Sequence, residues 1–357
     1  MGKKILAINP GSTSTKIAVY DELNVVHEVT LRHSAEELAP YDNIIDQFGF
    51  RKEIIVKALA DAGIEGASLD AIIGRGGLLK PIPSGTYEVN EAMRRDLFSG
   101  EYGQHASNLG GLIAYEIATE LGGKPAFIAD PVVVDEMQDL ARVTGRPEIQ
   151  RISIFHALNQ KAIARAYAAR KGVTYESLNL IVAHLGGGIS VGAHRQGHVV
   201  DVNNALNGDG PFSPERTGTL PAWQLAQMCF SGKYTQEQIR KMITGNGGIV
   251  ALLGTNDMMD IENRAAKGEP EVKLIHGAMA YMIGKSIGAM AAVLHGKVDA
   301  IILTGGIAYD RLLTGYVKEM VGHMGEFVVM PGENELEALV ANALRVLDGT
   351  AQAKVYM

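Results

Sequence analysis

The sequence predicts an α/β protein of two duplicated domains that bring polar turns to a nucleotide cleft between them. Three observations carry that expectation. A strand–turn–strand–turn–strand pattern at Ile5 to Val29 recurs at Leu178 to Val202. Between these copies, apolar runs alternate with helical periodicity and end on polar residues, the pattern that places ligands at the carboxyl edge of a sheet. A third glycine turn, Gly305-Gly306, follows the apolar run Ala300–Thr304. The 357 residues suit two domains of roughly 100–200 residues each. The duplication sets them at 1–150 and 151–330.

The first hairpin is the most informative stretch. Ile5 to Ile8 is apolar, and a second alternating run ends at Tyr20. The turn Asn9-Pro10-Gly11-Ser12-Thr13-Ser14-Thr15-Lys16 carries four hydroxyls, an amide and an ammonium, more donors than a chain reversal needs. It reads as a phosphate-binding tip, with an ordinary Ser/Thr-rich loop as the alternative. Asn9, Gly11, Ser12, Ser14 and Lys16 are its candidate ligands.

Further strands and helices follow in order. Val25–Val29 extends the hairpin, and 43–62 has helical spacing at Ile44, Ile45, Phe48, Ile54, Ile55, Ala58 and Leu59. Ala71–Gly74 is a short strand running into Arg75-Gly76-Gly77. Gln104–Leu121 reads as a helix, and the strand Pro125–Ala129 delivers Asp130 at its end. In the second half a helix at Ser153–Lys171 precedes the strand Leu178–Ala183, the small-residue tip His184-Leu185-Gly186-Gly187-Gly188, and the strands Ile189–Ala193 and Val199–Val202. Ala278–Leu294 is a buried helix whose Gly284 and Gly288 admit a close neighbour. Gly305-Gly306-Ile307 leads into a helix from Tyr309, and a bare Gly-Gly suits close approach to a nucleobase or ribose.

Several classes are disfavoured. A net charge of −7 without a basic block argues against a nucleic-acid partner. No window reaches the roughly 18 uninterrupted apolar residues of a membrane helix, the nearest, Ala278–Leu294, containing Lys285, and the N-terminal apolar run is too short for a signal peptide. Cys229 is the only cysteine, so no intrachain disulfide forms and a cytoplasmic location is expected. A single cysteine is expected as a buried small hydrophobe. The chain lacks a Walker sequence, a GxGxxG fingerprint, HExxH and paired cysteines; any nucleotide site is built another way.

The strings Ile8-Asn9-Pro10-Gly11-Ser12-Thr13-Ser14-Thr15-Lys16, Arg75-Gly76-Gly77-Leu78-Leu79, Ala129-Asp130-Pro131-Val132-Val133-Val134-Asp135-Glu136-Met137 and Asp201-Val202-Asn203-Asn204-Ala205-Leu206 resemble the acetate and butyrate kinase family, most closely its butyrate kinase branch. The likeness spans nearly the whole chain. It implies two duplicated ribonuclease-H-like α/β domains, as in actin, hexokinase and Hsp70, with 331–357 joining the first domain through a helix at Asn334–Leu347. It also implies a reaction: butyrate or a similar short-chain carboxylate plus ATP gives acyl phosphate plus ADP, with Mg²⁺. A homo-oligomer is expected as well.

The same resemblance assigns roles. Arg75 and Arg216 flank the reacting centre, His184 contacts the transferred phosphoryl group, and His156 and His105 lie nearby. Asp130 and Glu335 stand near magnesium, with Glu333 and Glu337 as competitors for that place. Gly186, Gly187, Gly188, Asp257, Gly305, Gly306 and Ile307 belong to the nucleotide site, and Arg75, Gly77, His105 and Phe155 to the acyl site. A carboxylate is already ionised at neutral pH, so no general base is needed and anion repulsion is the problem to solve. Direct in-line transfer is preferred over a phosphohistidine relay.

Three departures from the acetate kinase pattern bear on specificity. Gly77 replaces an aliphatic residue and is expected to deepen the acyl pocket, Gly187 replaces asparagine, and Met259 replaces arginine near the ribose and adenine region. Kinases for isobutyrate, propionate or acetate are the nearest alternative function. An ATP-gated protein of the actin or Hsp70 type, and a sugar kinase needing an Asp base, are more distant ones.

Overall fold

Two blocks of β-branched and aliphatic residues seed two sheets, one in each of two units. The computed structural model describes residues 2–357. The first unit runs to Val134 and resumes at Asn334–Met357, and the second is Asp135–Glu333. Segment 135–150, assigned from sequence to the first domain, packs with the second unit instead. Its ties are specific: Glu136 pairs with Lys161 at 2.8 Å, and Gln138 N donates to Val200 O at 3.0 Å.

In the first unit β1 (Lys4–Pro10), β2 (Ser14–Asp21) and β3 (Asn24–Arg32) form an antiparallel meander. β4 (Ala71–Arg75) pairs parallel to β1, β6 (Ala126–Ala129) parallel to β4, and β5 (Thr86–Glu88) antiparallel to β6. The order is 354–355, β5, β6, β4, β1, β2, β3. Ile5, Leu6, Ala7 and Ile8 are all buried, as a central strand covered on both faces requires. One face receives the helix Asn108–Glu120 at backbone distance: a Cβ on Gly110 would strike the Arg75 carbonyl, and one on Gly74 the Gly110 carbonyl. Glycine is used here for close approach.

This helix was expected from Gln104 but starts at Asn108. Residues 103–107 form a turn in which Gly103 has φ +120° and His105 Nδ1 lies 2.8 Å from Ser107 Oγ. Likewise the helix expected from 43 begins as a 3-10 turn, Ile44–Gln47, and continues as Phe48–Asp61. The C-terminal helix Glu335–Leu347 packs on β1, β4 and β6. Beyond it, Tyr356 Oη donates to the buried Asp96 carboxylate at 2.8 Å and its carbonyl accepts from Asn90 at 2.7 Å, which anchors the chain end in the first unit.

The second unit repeats the path. β7 (Asn179–Leu185), β8 (Ile189–Arg195) and β9 (His198–Val202) form the meander. β10 (Ala300–Thr304) pairs parallel to β7 and β11 (Glu326–Val329) parallel to β10, in the order β11, β10, β7, β8, β9. Read outward from β1 and from β7, the two sheets share one topology, which is the duplication seen in the sequence. The long helix Pro270–Val293 backs the second sheet and meets the helix Arg311–Val321, with Met320 seated at Gly284.

The helix expected from Ser153 begins at Ala157, because the chain turns at His156 (φ −78°, ψ 61°), where Ala157 N bonds back to Phe155 O at 2.8 Å. Two helices with no sequence expectation, Ala222–Cys229 and Gln236–Ile243, bury no residue. Cys229 lies in the first of them and is exposed. The expectation of a buried thiol is therefore corrected.

Candidate active site

In the first unit the hairpin tip behaves as a held loop. Gly11 N donates to Ser14 O at 2.8 Å and closes the turn. Arg51, fully buried on the helix Phe48–Asp61, donates to Gly11 O (2.7 Å), Ser12 O (2.9 Å), Ser14 O (3.0 Å), Thr15 Oγ1 (3.0 Å) and Gln47 Oε1. Peptide C=O and N–H groups point opposite ways in a trans bond. Drawing the Gly11 and Ser12 carbonyls toward Arg51 therefore turns the Ser12 and Thr13 amides away from it, the geometry of an anion nest. Arg51 was missed from the sequence, although a cation in register with Ile55 and Leu59 on a buried helix face was the signal. Lys16 has a different partner, Glu28, at 2.8 Å.

His33 shares this cradle, with Nε2 2.9 Å from Thr15 Oγ1. Burial, and then the Arg51 charge, hold its pKa below the usual histidine range. The unfolded chain takes up that proton first, near pH 6.5. Stability from neutral His33 is thus complete above pH 6.5 and is lost as pH falls through the lower folded value. Melting temperatures from pH 7.5 to 5 are expected to fall more steeply for the natural protein than for His33→Gln; parallel curves would contradict this.

Arg75 leaves the end of β4 and its guanidinium Nη1 contacts Glu335 Oε2, which also accepts from Asn9 Nδ2 at 2.6 Å. Asn9, Arg75 and Glu335 are thereby one cluster. The three crowded glutamates separate: Glu335 faces Arg75, Glu337 faces Asn334, and Glu333 faces His184. Asp130, buried at φ +38°, accepts from Ser84 Oγ (2.6 Å) and Gly85 N (2.8 Å). Among the described residues no three His, Cys, Asp or Glu side chains converge as a metal cage. Gly77 does not open a pocket as expected. A Cβ there would lie 2.5 Å from Asn108 Cα and 2.8 Å from its N, so the volume is filled by the start of the helix.

In the second unit His184 is buried at the end of β7. Its Nδ1 lies 2.9 Å from Asn159 Oδ1 and its Nε2 3.1 Å from Glu333 Oε1, and its ring stacks on His156 at 3.8 Å between centroids. Phe155, just before His156, is buried. Gly188 makes room for Arg216: a Cβ there would lie 2.7 Å from Arg216 Cζ and closer still to Nη1. Arg216 Nη1 donates to Ala205 O at 2.7 Å, and burial draws its pKa down with Glu215 opposing; a guanidinium nonetheless stays charged. Gly188→Ala is expected to displace that guanidinium and lower kcat about 10- to 100-fold with little change in melting temperature, as steady-state kinetics and thermal unfolding would show.

An open cavity of about 300 Å³ lies beside these loops, lined by Gly186, Gly187, Pro214, Glu215, Asn256, Met258, Gly306, Ile307 and Glu333. It falls in the size range of small-molecule sites. The two glycines of the third turn divide their work. Gly305 has φ +89° and a Cβ there would meet the Leu185 backbone, so it serves strand packing, not ligand approach, whereas Gly306 faces open space. Asp257 caps the helix Met258–Ala266, accepting from Met259 N (3.0 Å) and Asp260 N (3.1 Å).

Comparison with known proteins decides the family. Residues 147–329 match the model of the acetokinase family. Butyrate kinase 2 of Clostridium acetobutylicum is 56% identical over 353 residues, covering 99% of each chain. The chain belongs to the acetokinase family. Two solved structures share the fold at 18% identity. The acetate kinase of Porphyromonas gingivalis has a TM-score of 0.77 and covers 97% of this chain and 100% of its own. A propionate kinase from Francisella tularensis has a TM-score of 0.75, with 95% and 98% covered. Membership in the acetokinase family accounts for the doubled ribonuclease-H-like sheets and for ATP as the nucleotide class.

Proposed function

We propose that the protein is a short-chain fatty acid kinase that transfers the γ-phosphoryl group of ATP to butyrate, giving butyryl phosphate and ADP, and runs in reverse. The observation that carries this reading is the 56% identity, over 99% of the chain, to a butyrate kinase. A carboxylate oxygen forms the new bond to phosphorus as the bond to the bridging oxygen breaks, and no proton need move. Catalysis is then positioning and charge stabilisation.

The clusters suit those tasks. Arg75 can present a planar fork to a carboxylate, and the amides of Ser12 and Thr13 can bind phosphate oxygens. His156, His184 and Arg216 are assigned to the transferring phosphoryl group, and the cavity at Gly306 and Ile307 to the nucleoside. Magnesium is assigned to the nucleotide it arrives with, keeping water and phosphate oxygens as most of its ligands; this fits the lack of a three-residue cage among the described residues. Asp130 and Glu335 are the carboxylates proposed near it. A cytoplasmic location and self-association are proposed too. They are consistent with the absence, among the described residues, of a helix long and apolar enough to cross a membrane, and with exposed Trp223 and Phe230.

The test is acyl hydroxamate formation with ATP, Mg²⁺ and acids of two to six carbons. Butyrate is expected to give the highest kcat/KM. Isobutyrate or propionate in first place would move the assignment to that acid, and no product with any acid would overturn it.

A further inference from the structure

Five polar side chains run in a line through the second unit, and each hydrogen bond constrains the next. Tyr175 Oη lies 2.7 Å from His194 Nδ1, and His194 Nε2 lies 2.9 Å from Gln160 Oε1. Gln160 Nε2 donates to Ser190 O at 3.0 Å and to Ser190 Oγ at 2.8 Å. Ser190 Oγ in turn lies 2.9 Å from His156 Nδ1. Gln160, Ser190 and His194 are all fully buried, so bulk water does not scramble the line.

Its direction is set in the middle. The Ser190 carbonyl can only accept, so the amide nitrogen of Gln160 faces it and the amide oxygen faces His194. That oxygen can only accept as well, so His194 carries a proton on Nε2. Burial, then the charges of Lys161 and Arg165, hold the His194 pKa well below its ordinary value. The ring is neutral, and its Nδ1 accepts from the Tyr175 hydroxyl. At the other end Ser190 Oγ accepts from Gln160 and, at 3.4 Å, from His156 N. Both lone pairs are engaged, which leaves its single proton for His156 Nδ1. A neutral ring whose Nδ1 accepts holds its proton on Nε2.

We propose that Tyr175, His194, Gln160 and Ser190 are positioning residues that lock His156 as its Nε2–H tautomer, a hydrogen-bond donor for the transferring phosphoryl group. The proposal rests on the reading of His156 as a group that touches that phosphoryl. Without the line the imidazole would divide between two tautomers, and one of them presents a lone pair to an anion.

The experiment is ¹⁵N NMR of histidine-labelled full-length protein, with the His156 ring assigned by its loss in His156→Gln. Wild type is expected to show protonated Nε2 and unprotonated Nδ1. In Gln160→Glu the new carboxylate, ionised and paired with a protonated His194, can only accept, so Ser190 turns its proton toward it and His156 must donate from Nδ1. The tautomer is expected to invert, with kcat down about 100-fold and KM for ATP and butyrate unchanged. Should that buried carboxylate prevent folding, Ser190→Ala is expected to give a tautomer mixture and a smaller loss of kcat, with melting temperature measured alongside. Wild-type His156 protonated on Nδ1, or a ring unmoved by whichever variant folds, overturns the lock. An inverted ring with undiminished kcat, or full turnover in His156→Gln, overturns instead the role of His156 in transfer.

Discussion

Arg75→Ala is expected to lower kcat/KM for butyrate about 1,000-fold. Two effects add. The guanidinium fork that could hold a carboxylate disappears, and Glu335 keeps only Asn9 as its partner in that cluster. An uncompensated carboxylate then stands beside an anionic substrate. Arg75→Lys restores charge without the fork and is expected to recover roughly tenfold. The pair is partly solvated, with side chains 22% and 13% exposed, so melting temperature should change little. Hydroxamate kinetics on these variants decide the matter; full activity in Arg75→Ala would remove Arg75 from the site.

Arg51→Met is expected to destabilise the protein by about 3–4 kcal/mol, because several acceptors in the hairpin cradle lose their donor and a buried unsatisfied acceptor costs roughly 1–3 kcal/mol. Methionine keeps the packing but none of the donors. Denaturant unfolding would measure the loss. In the fraction still folded, KM for ATP should rise while inhibition by adenosine, which lacks phosphate, is unaffected. An equal weakening of both would mean that the residue supports the fold generally and not the phosphate turn.

These two arginines show what could be read in advance. Arg75 stands at a strand end next to two glycines; a surface salt bridge is the ordinary explanation of such an arginine, and the glycine neighbours together with the family resemblance are what mark it as a site residue. Arg51 lay in a helical stretch whose apolar spacing was plain, and nothing local says that its partners are carbonyls some forty residues earlier. Gly77 is the converse case. A missing side chain reads as a void in one dimension, yet the space belongs to Asn108. Gly305 and Gly306 look equivalent in sequence, but one meets the Leu185 backbone and the other meets open space. The helices Ala222–Cys229 and Gln236–Ile243 carry no fully buried residue, yet Ile239, Met242 and Ile243 stand three and four residues apart on one half-buried face, a spacing that the sequence does display.

The sequence by itself determined the α/β class, the doubled meander, the phosphate-like turns and the family. Each of these depends on residues adjacent in the chain, where alternation, glycine and hydroxyl content act locally. Only the tertiary structure decided which groups are partners. It separated Glu333, Glu335 and Glu337, bound Asp130 to Ser84 and Gly85, seated Arg216 over Gly188, and ordered the buried line from Tyr175 to His156. The physical reason is that hydrogen-bond direction and burial are properties of neighbours in space, and in this fold those neighbours come from distant strands and helices.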